Sequence, residues 1–311
     1  MMTFQLPESD IERFLEEDLP YGDLTTSLLG IGGLNGEIIF TSREKTVVCC
    51  TEEASRVLAQ CGASVNFSMK SGSSVPEGAI VLSASGSAEA LHAGWKVALN
   101  ILEYASGIAT RTREIVTLVH EVNPGIVVVT TRKSFPGTKK ISLKAIMAGG
   151  ALPHRLGLSE SILVFRQHTE FLGGVDRFLG SIAALKARVP EHKIIVEAEN
   201  PEEALKAAIA GANVVQTDKI SPAELALLVP EIRKQAPSVK ISAAGGITKN
   251  NAADYAKSGV DIIVLSSVYF GKPSDIGVAI YPVFLSPEGA LTIPSSASME
   301  ISSSSSGQCI P

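Results

Sequence analysis

Cysteine is scarce: four in 311 residues, at Cys49, Cys50, Cys61 and Cys309. No C-x-x-C pair occurs, and no cysteine stands at ligand spacing from a histidine. That argues against a zinc module and leaves buried, reduced thiols as the expectation. Long apolar runs are missing too. None approaches the roughly 18 residues that a membrane-spanning helix needs, so no membrane partner is expected. The stretch MMTFQLPESDIERF is acidic and has no apolar centre, unlike a secretory leader, and a cytoplasmic location is expected. Nor is there a surplus of positive charge. Lys and Arg number 27 against 32 Asp and Glu, a net charge of −5, which argues against a broad nucleic-acid-binding face.

What is present is apolar and patterned. Hydrophobic residues make up 45% and charged residues 19%, enough for a sizeable core and too little charge for general disorder. ESDIERFLEEDLPYGDLTTSLL reads as an amphipathic helix stopped by Pro20, then a turn. GEIIFTS, KTVVCC, ASVNFSM and AIVLSAS read as strands around a helix, EEASRVLAQCG. A second apolar-faced helix is expected over Leu91 to Gly107. After it come IVVVTT (126–131), SILVF (161–165), KIIVEA (193–198), NVVQTD (213–218), VKISAA (239–244) and DIIVLS (261–266). These short, β-branched runs suit strands buried on both faces of a parallel sheet. Helical stretches separate them: LKAIMAGGA, VDRFLGSIAALKARV, PEEALKAAIAG, SPAELALLVPEIRKQA and NNAADYAKSG. The alternation predicts an α/β barrel or a doubly wound sheet. SSASMEISSSSSGQ belongs to a Ser-rich tail, 286–311, expected to be disordered.

Charge is unevenly placed. From Arg132 to Arg166 there are seven Lys or Arg and one acid, Glu160. A pocket for a small anion or a solvated loop face would each produce this. Ligands of parallel α/β folds sit at the carboxyl ends of the strands, and those ends are informative. The first carries Thr131, Arg132 and Lys133, able to hold carboxylate or phosphate. His154 and Arg155 follow in the connection to the second strand. That strand ends in Phe165 and Arg166, with His168 close behind. The third ends near Glu197 and Glu199, the fourth at Asp218 and Lys219. Glu197 and Asp218 could serve as acid and base, or hold Mg²⁺ and sugar hydroxyls. The fifth ends in Ala244, Gly245 and Gly246, a turn that can offer backbone N–H groups to phosphate. The sixth ends in Ser266 and Ser267.

TTRKSFPG, GGALPHRLGL, VEAENPEEA, QTD, AAGGIT and SGVDIIVLS, in this order, resemble the quinolinate phosphoribosyltransferase (nicotinate-nucleotide pyrophosphorylase) family. EDLPYGDLTT and LNILEYASGIATRT match as well, and the likeness spans about residues 10–285. Within the family it is greatest for a branch associated with molybdenum transport. The resemblance implies an N-terminal α/β sandwich domain (1–108, joined by 275–285) and an open α/β barrel (109–274). It implies a homodimer with shared sites, and transfer of phosphoribose from phosphoribosyl pyrophosphate, with Mg²⁺, to a ring nitrogen. By position, it assigns Arg132, Lys133, His154 and Arg155 to substrate carboxylates and phosphates. It assigns Glu197 and Asp218 to ribose and metal, possibly through water, and Lys133, Glu197 and Asp218 to the catalytic step. Ala244, Gly245, Gly246, Ser266 and Ser267 fall on phosphate positions.

Four departures accompany the match. A family Lys that grips a quinolinate carboxylate is Phe165 here. An Arg reaching in from the partner subunit is Lys96. A Ser of the phosphate turn is Ala244, and a Gly is Ser266. They imply a phosphoribosyltransferase for an acceptor other than quinolinate, aromatic and less charged. A true quinolinate enzyme of NAD biosynthesis and a non-catalytic binder of a phosphometabolite or an oxyanion such as molybdate are the competing readings.

Overall fold

The computed structural model describes residues 5–285 and the backbone of Leu291–Thr292. The described residues fall into two units. One comprises chain segments up to Thr110, Lys140–Ala148 and those from Lys272 onward; the other comprises Arg111–Lys139 and Gly149–Gly271.

The first unit is built on a four-stranded antiparallel sheet. Its strand order is Ile276–Pro282, Asn35–Ser42, Ile80–Ser87, Ser64–Ser68. The helix Thr51–Gln60 and the start of Ala88–Val122 contribute to its core, with Phe40, Leu58, Leu82, Leu91 and Leu102 fully buried. KTVVCC is strand only over Thr46–Val47. Cys50 leaves the extended conformation at φ 63° to start the next helix. Cys49 and Cys50 are buried and Cys61 half-buried, all three as free thiols; Cys309 lies outside the described residues.

The expected helix end at Gly107 is not found. A single helix runs 35 residues, Ala88–Val122. Gly107 is there for closeness instead: a Cβ would stand 2.9 Å from the Lys272 carbonyl oxygen.

A buried charge cluster fastens this unit. Lys144 Nζ reaches Glu53 Oε2 at 2.5 Å and Glu52 Oε2 at 2.9 Å, and Glu53 is fully buried. Glu53 also accepts the Leu6 backbone N–H at 3.3 Å, and Glu52 that of Ser71 at 3.0 Å.

The second unit is an open α/β barrel: one seven-stranded parallel sheet with interleaved helices. The order is Leu152–Pro153, Val127–Thr130, Ile262–Leu265, Lys240–Ala244, Val214–Asp218, Ile194–Ala198, Ile162–Val164. Six of these are the expected strands. The seventh, Leu152–Pro153, is only two residues long and lacks a β-branched pattern, so sequence hid it. VDRFLGSIAALKARV forms two helices, Val175–Leu179 and Ile182–Arg188, because the chain breaks at Gly180 and Ser181. Among the described residues no helix is long and apolar enough to cross a membrane. The Ser-rich tail expected over 286–311 lies outside the described residues, apart from Leu291–Thr292, whose backbone pairs antiparallel with Phe284–Leu285.

Candidate active site

Strand register places the polar side chains. Glu197 pairs with Gln216, and Asp218 pairs with Ala244. Side chains alternate across a strand, so Glu197, Gln216 and Asp218 share one face. That face lines a cavity of about 630 Å³, a volume suited to a small substrate. Thr131, Arg132, Lys133, His154, Arg155, Phe165, Ala244, Gly245, Gly246 and Ser266 line it as well. Residues following both edge strands meet there, Arg155 from one and Phe165 from the other, so the sheet curls around the cavity.

Basic residues form one part of the wall. Arg132 and Lys133 are exposed, and Arg132 has no ion-pair partner among the described residues. Arg155 and Arg132 are close enough to repel: burial, then the Arg132 charge, lowers the pKa of Arg155. Burial lowers that of His154 too, Arg155 adds to the effect and Glu160 opposes it. Burial and Arg155 thus favour the neutral imidazole, which can act as donor or acceptor. The strand end that carries Arg132 is tied down by Tyr269. Its hydroxyl lies 2.9 Å from Thr130 Oγ1 and donates to the Thr131 carbonyl at 3.1 Å.

Acids form another part of the wall. Burial pushes the Glu197 carboxyl above its ordinary range. A hydrogen bond from Gln216 Nε2, at 2.7 Å, opposes this; Asp218 and Glu199 reinforce it, and Lys133 counters them. Asp218 is held by a tight turn. Gly245 has φ +87°, and a Cβ there would stand 2.6 Å from Asp218 Oδ1. Only glycine fits without displacing that carboxylate. The Lys219 amide donates to the Ala244 carbonyl at 2.8 Å, closing the two strand ends together.

One expected residue differs from its sequence reading. Ser267 does not line the cavity. Its Oγ donates to the Ile247 carbonyl at 2.9 Å, bracing the glycine turn from behind. Lys96 lies in the other unit, exposed, with its Nζ 5.2 Å from the Trp95 ring centre, and does not line the cavity of its own chain. Arg166 turns away toward Glu170 (3.2 Å) and Glu199 (3.3 Å), so it does not replace the cation missing at Phe165. The Phe165 amide donates to His168 Nδ1 at 3.3 Å, and the two rings meet edge-on at 4.1 Å. His168 thus steadies the aromatic wall. Sequence reading missed Gln216 and Tyr269. The first is signalled by its place as the lone amide in VVQTD; the second has no comparable signal.

Glu197 and Asp218 are the carboxylates that could hold a metal. No group of three or more His, Cys, Asp or Glu suited to a metal occurs among the described residues. Two carboxylates beside a basic wall fit Mg²⁺, which keeps several waters and takes substrate phosphates as ligands.

Residues 108–278 match the family described as quinolinate phosphoribosyl transferase, C-terminal domain, and residues 23–106 match its N-terminal domain. The chain belongs to the quinolinate phosphoribosyltransferase family. It is therefore a pyrophosphorylase of the pentosyltransferase type, in a family that binds phosphoribosyl pyrophosphate-type substrates. The "Putative pyrophosphorylase ModD" of Rhodobacter capsulatus is 43% identical over 260 residues, covering 82% of this chain and 98% of the relative. A protein of the same name from Pasteurella multocida is 35% identical over 273 residues, 88% and 97% of the two chains. The "Probable nicotinate-nucleotide pyrophosphorylase [carboxylating]" of Synechocystis is 30% identical over 266 residues, 85% and 88% of the two. The solved nicotinate-nucleotide pyrophosphorylase of Francisella tularensis shares the fold at TM-score 0.80 and 24% identity, covering 89% of this chain and 98% of that one.

Proposed function

We propose that this family member is a Mg²⁺-dependent phosphoribosyltransferase that joins phosphoribosyl pyrophosphate to an aromatic nitrogen base other than quinolinate. One observation carries the reading: the cavity has a basic wall, an acidic wall, and Phe165 where the resemblance expects a carboxylate-binding Lys.

The acceptor nitrogen attacks C1 of the ribose as the C1–O bond to pyrophosphate breaks. Positive charge gathers on C1 and the ring oxygen, as in glycoside chemistry. Glu197 and Asp218 face that charge as fixed carboxylates. Arg132, Lys133 and the glycine turn hold the phosphates and receive the departing pyrophosphate. Bound Mg²⁺ supplies charge neutralisation on the phosphate oxygens. Glu197 must be ionised to act, and its carboxyl sits above the ordinary range, so activity should fall on acidification before ordinary carboxylates titrate.

A quinolinate carboxylate that meets Phe165 loses a charge-assisted hydrogen bond. That is about 1.5–3 kcal/mol, or roughly ten- to more than a hundredfold in affinity. Phe165→Lys should therefore strengthen quinolinate binding by about that factor in a titration, and no gain would move the obstacle elsewhere. The ModD relatives, at 43% and 35% identity, are more similar to this chain than the carboxylating relative at 30%, which favours a ModD-type reaction over the carboxylating one.

The functional unit in this reading is a homodimer, in which Lys96 of one copy serves the cavity of the other. Lys96→Ala and Arg132→Ala should each be nearly inactive alone. Mixed and reassembled, they should regain activity, because one site of each hybrid is then intact. No recovery would confine the site to one chain. The reaction itself is tested by supplying the enzyme with phosphoribosyl pyrophosphate, Mg²⁺ and a metabolite extract. A new ribosylated base other than nicotinate mononucleotide is expected; the mononucleotide with CO₂ release would instead identify a quinolinate enzyme.

A further inference from the structure

The cavity floor holds one polar group with an unfilled hydrogen-bonding position. Gln216 is only 6% exposed and lines the cavity from the middle of the Val214–Asp218 strand. Its Nε2 donates to Glu197 Oε2 at 2.7 Å. An ionised carboxylate only accepts, so this contact orients the amide: the NH₂ faces Glu197 and the carbonyl is left over. Among the described residues no donor reaches Gln216 Oε1. Buried amide oxygens are nearly always paired; this one is unpaired, in a side chain that lines the cavity, and has almost no surface of its own, so a ligand reaches it as the side chain shifts.

The neighbours indicate which ligand. Leu163, Phe165, Ala244 and Val264 also line the cavity. Ala244 and Val264 are 6% and 3% exposed, whereas Arg132, Lys133 and Lys219 are exposed. The site thus has an apolar floor with one amide carbonyl and a charged rim. A diphosphate suits the rim and a flat ring suits the floor.

We infer that Gln216 Oε1 accepts a hydrogen bond from a neutral N–H or O–H on the acceptor ring, so that the acceptor is an aromatic base carrying such a donor instead of a carboxylate at that edge. This rests on the transferase reading above. A carboxylate is disfavoured here because it too only accepts, and Glu197 adds a like charge alongside. A ribose hydroxyl is the other available O–H donor, and the two sources are separable by what Gln216 controls.

The test is calorimetry on the full chain saturated with phosphoribosyl pyrophosphate and Mg²⁺. Two probes share one ring, nicotinamide with a neutral carboxamide and nicotinate with a carboxylate. Nicotinamide should bind at least about tenfold more tightly, the scale of one buried hydrogen bond kept or lost. Gln216→Leu, or Gln216→Met should the first not fold, should erase that preference, by a larger factor than any change in affinity for phosphoribosyl pyrophosphate that follows from freeing Glu197. Equal affinities in the parent protein, tighter nicotinate, or no heat from either probe at millimolar concentration would overturn the inference. A variant that loses affinity for phosphoribosyl pyrophosphate yet keeps the nicotinamide preference would overturn it as well, assigning the carbonyl to the ribose. Failure of the parent protein to bind phosphoribosyl pyrophosphate falls instead on the transferase reading, and the inference falls with it.

Discussion

Arg132→Ala should lower kcat/KM by about 100- to 1000-fold while the protein stays folded. Arg132 is exposed at the cavity wall and has no ion-pair partner among the described residues, so its loss leaves no buried charge behind. What goes is a cation aimed at phosphate oxygens, and losing one such preorganised group typically costs that factor. Nearby Arg155 does not compensate, because the two guanidinium groups already repel each other across the site. Steady-state kinetics and a thermal melt on the same preparation check both halves. Near-normal turnover would remove Arg132 from the site; a large drop in melting temperature would make its role structural.

Lys144→Met should destabilise the protein by about 3–5 kcal/mol, with no part in chemistry. Lys144 is 8% exposed and bonds to Glu52 and to the fully buried Glu53. Removing the cation strands a buried carboxylate, and the cost is mostly that desolvated charge. Pairing the change with Glu53→Gln should recover part of the loss in a denaturant titration. Full loss in the double variant would point to packing instead.

The pH dependence follows from the same cluster. Against the penalty of burial, the Ser71 and Lys144 hydrogen bonds hold Glu52 down at about 2, below its ordinary 4.5. Its contribution is therefore complete above 4.5 and disappears as pH falls through about 2. Burial alone would lower the Lys144 pKa, but the neighbouring acidic groups, Cys50, Glu53 and Glu52, raise it above 10.5. Its contribution is complete below 10.5 and is lost as pH rises past the elevated value. Glu52 and Lys144 together should stabilise fully between about pH 4.5 and 10.5, and their contribution should fall away on either side.

Sequence disclosed what depends on local pattern. Strands such as KIIVEA and VKISAA are apolar on both faces, and that is enough to predict a buried parallel sheet. Cavity residues at strand ends were legible for the same reason, because parallel sheets gather those ends together. Hidden features depend on contacts distant in the chain. Leu152–Pro153 becomes a strand only by pairing with Val129 and Thr130. Gly107 looked like a helix stop because nothing local announces the Lys272–Ser274 backbone packed against it. Ser267 looked equivalent to Ser266, yet the short helical turn Ser267–Tyr269 directs its hydroxyl to Ile247. Gln216 was overlooked because a single amide in an apolar strand gains meaning only once its neighbour Glu197 is known.

Titrating phosphoribosyl pyrophosphate into the protein, with and without Mg²⁺, and then adding quinolinate, tests the central claim most directly. Saturable Mg²⁺-strengthened binding of the diphosphate, absent in Arg132→Ala, with little heat from quinolinate, is the expected result. Binding that ignores both Mg²⁺ and Arg132, or tight quinolinate binding by the parent protein, would contradict it.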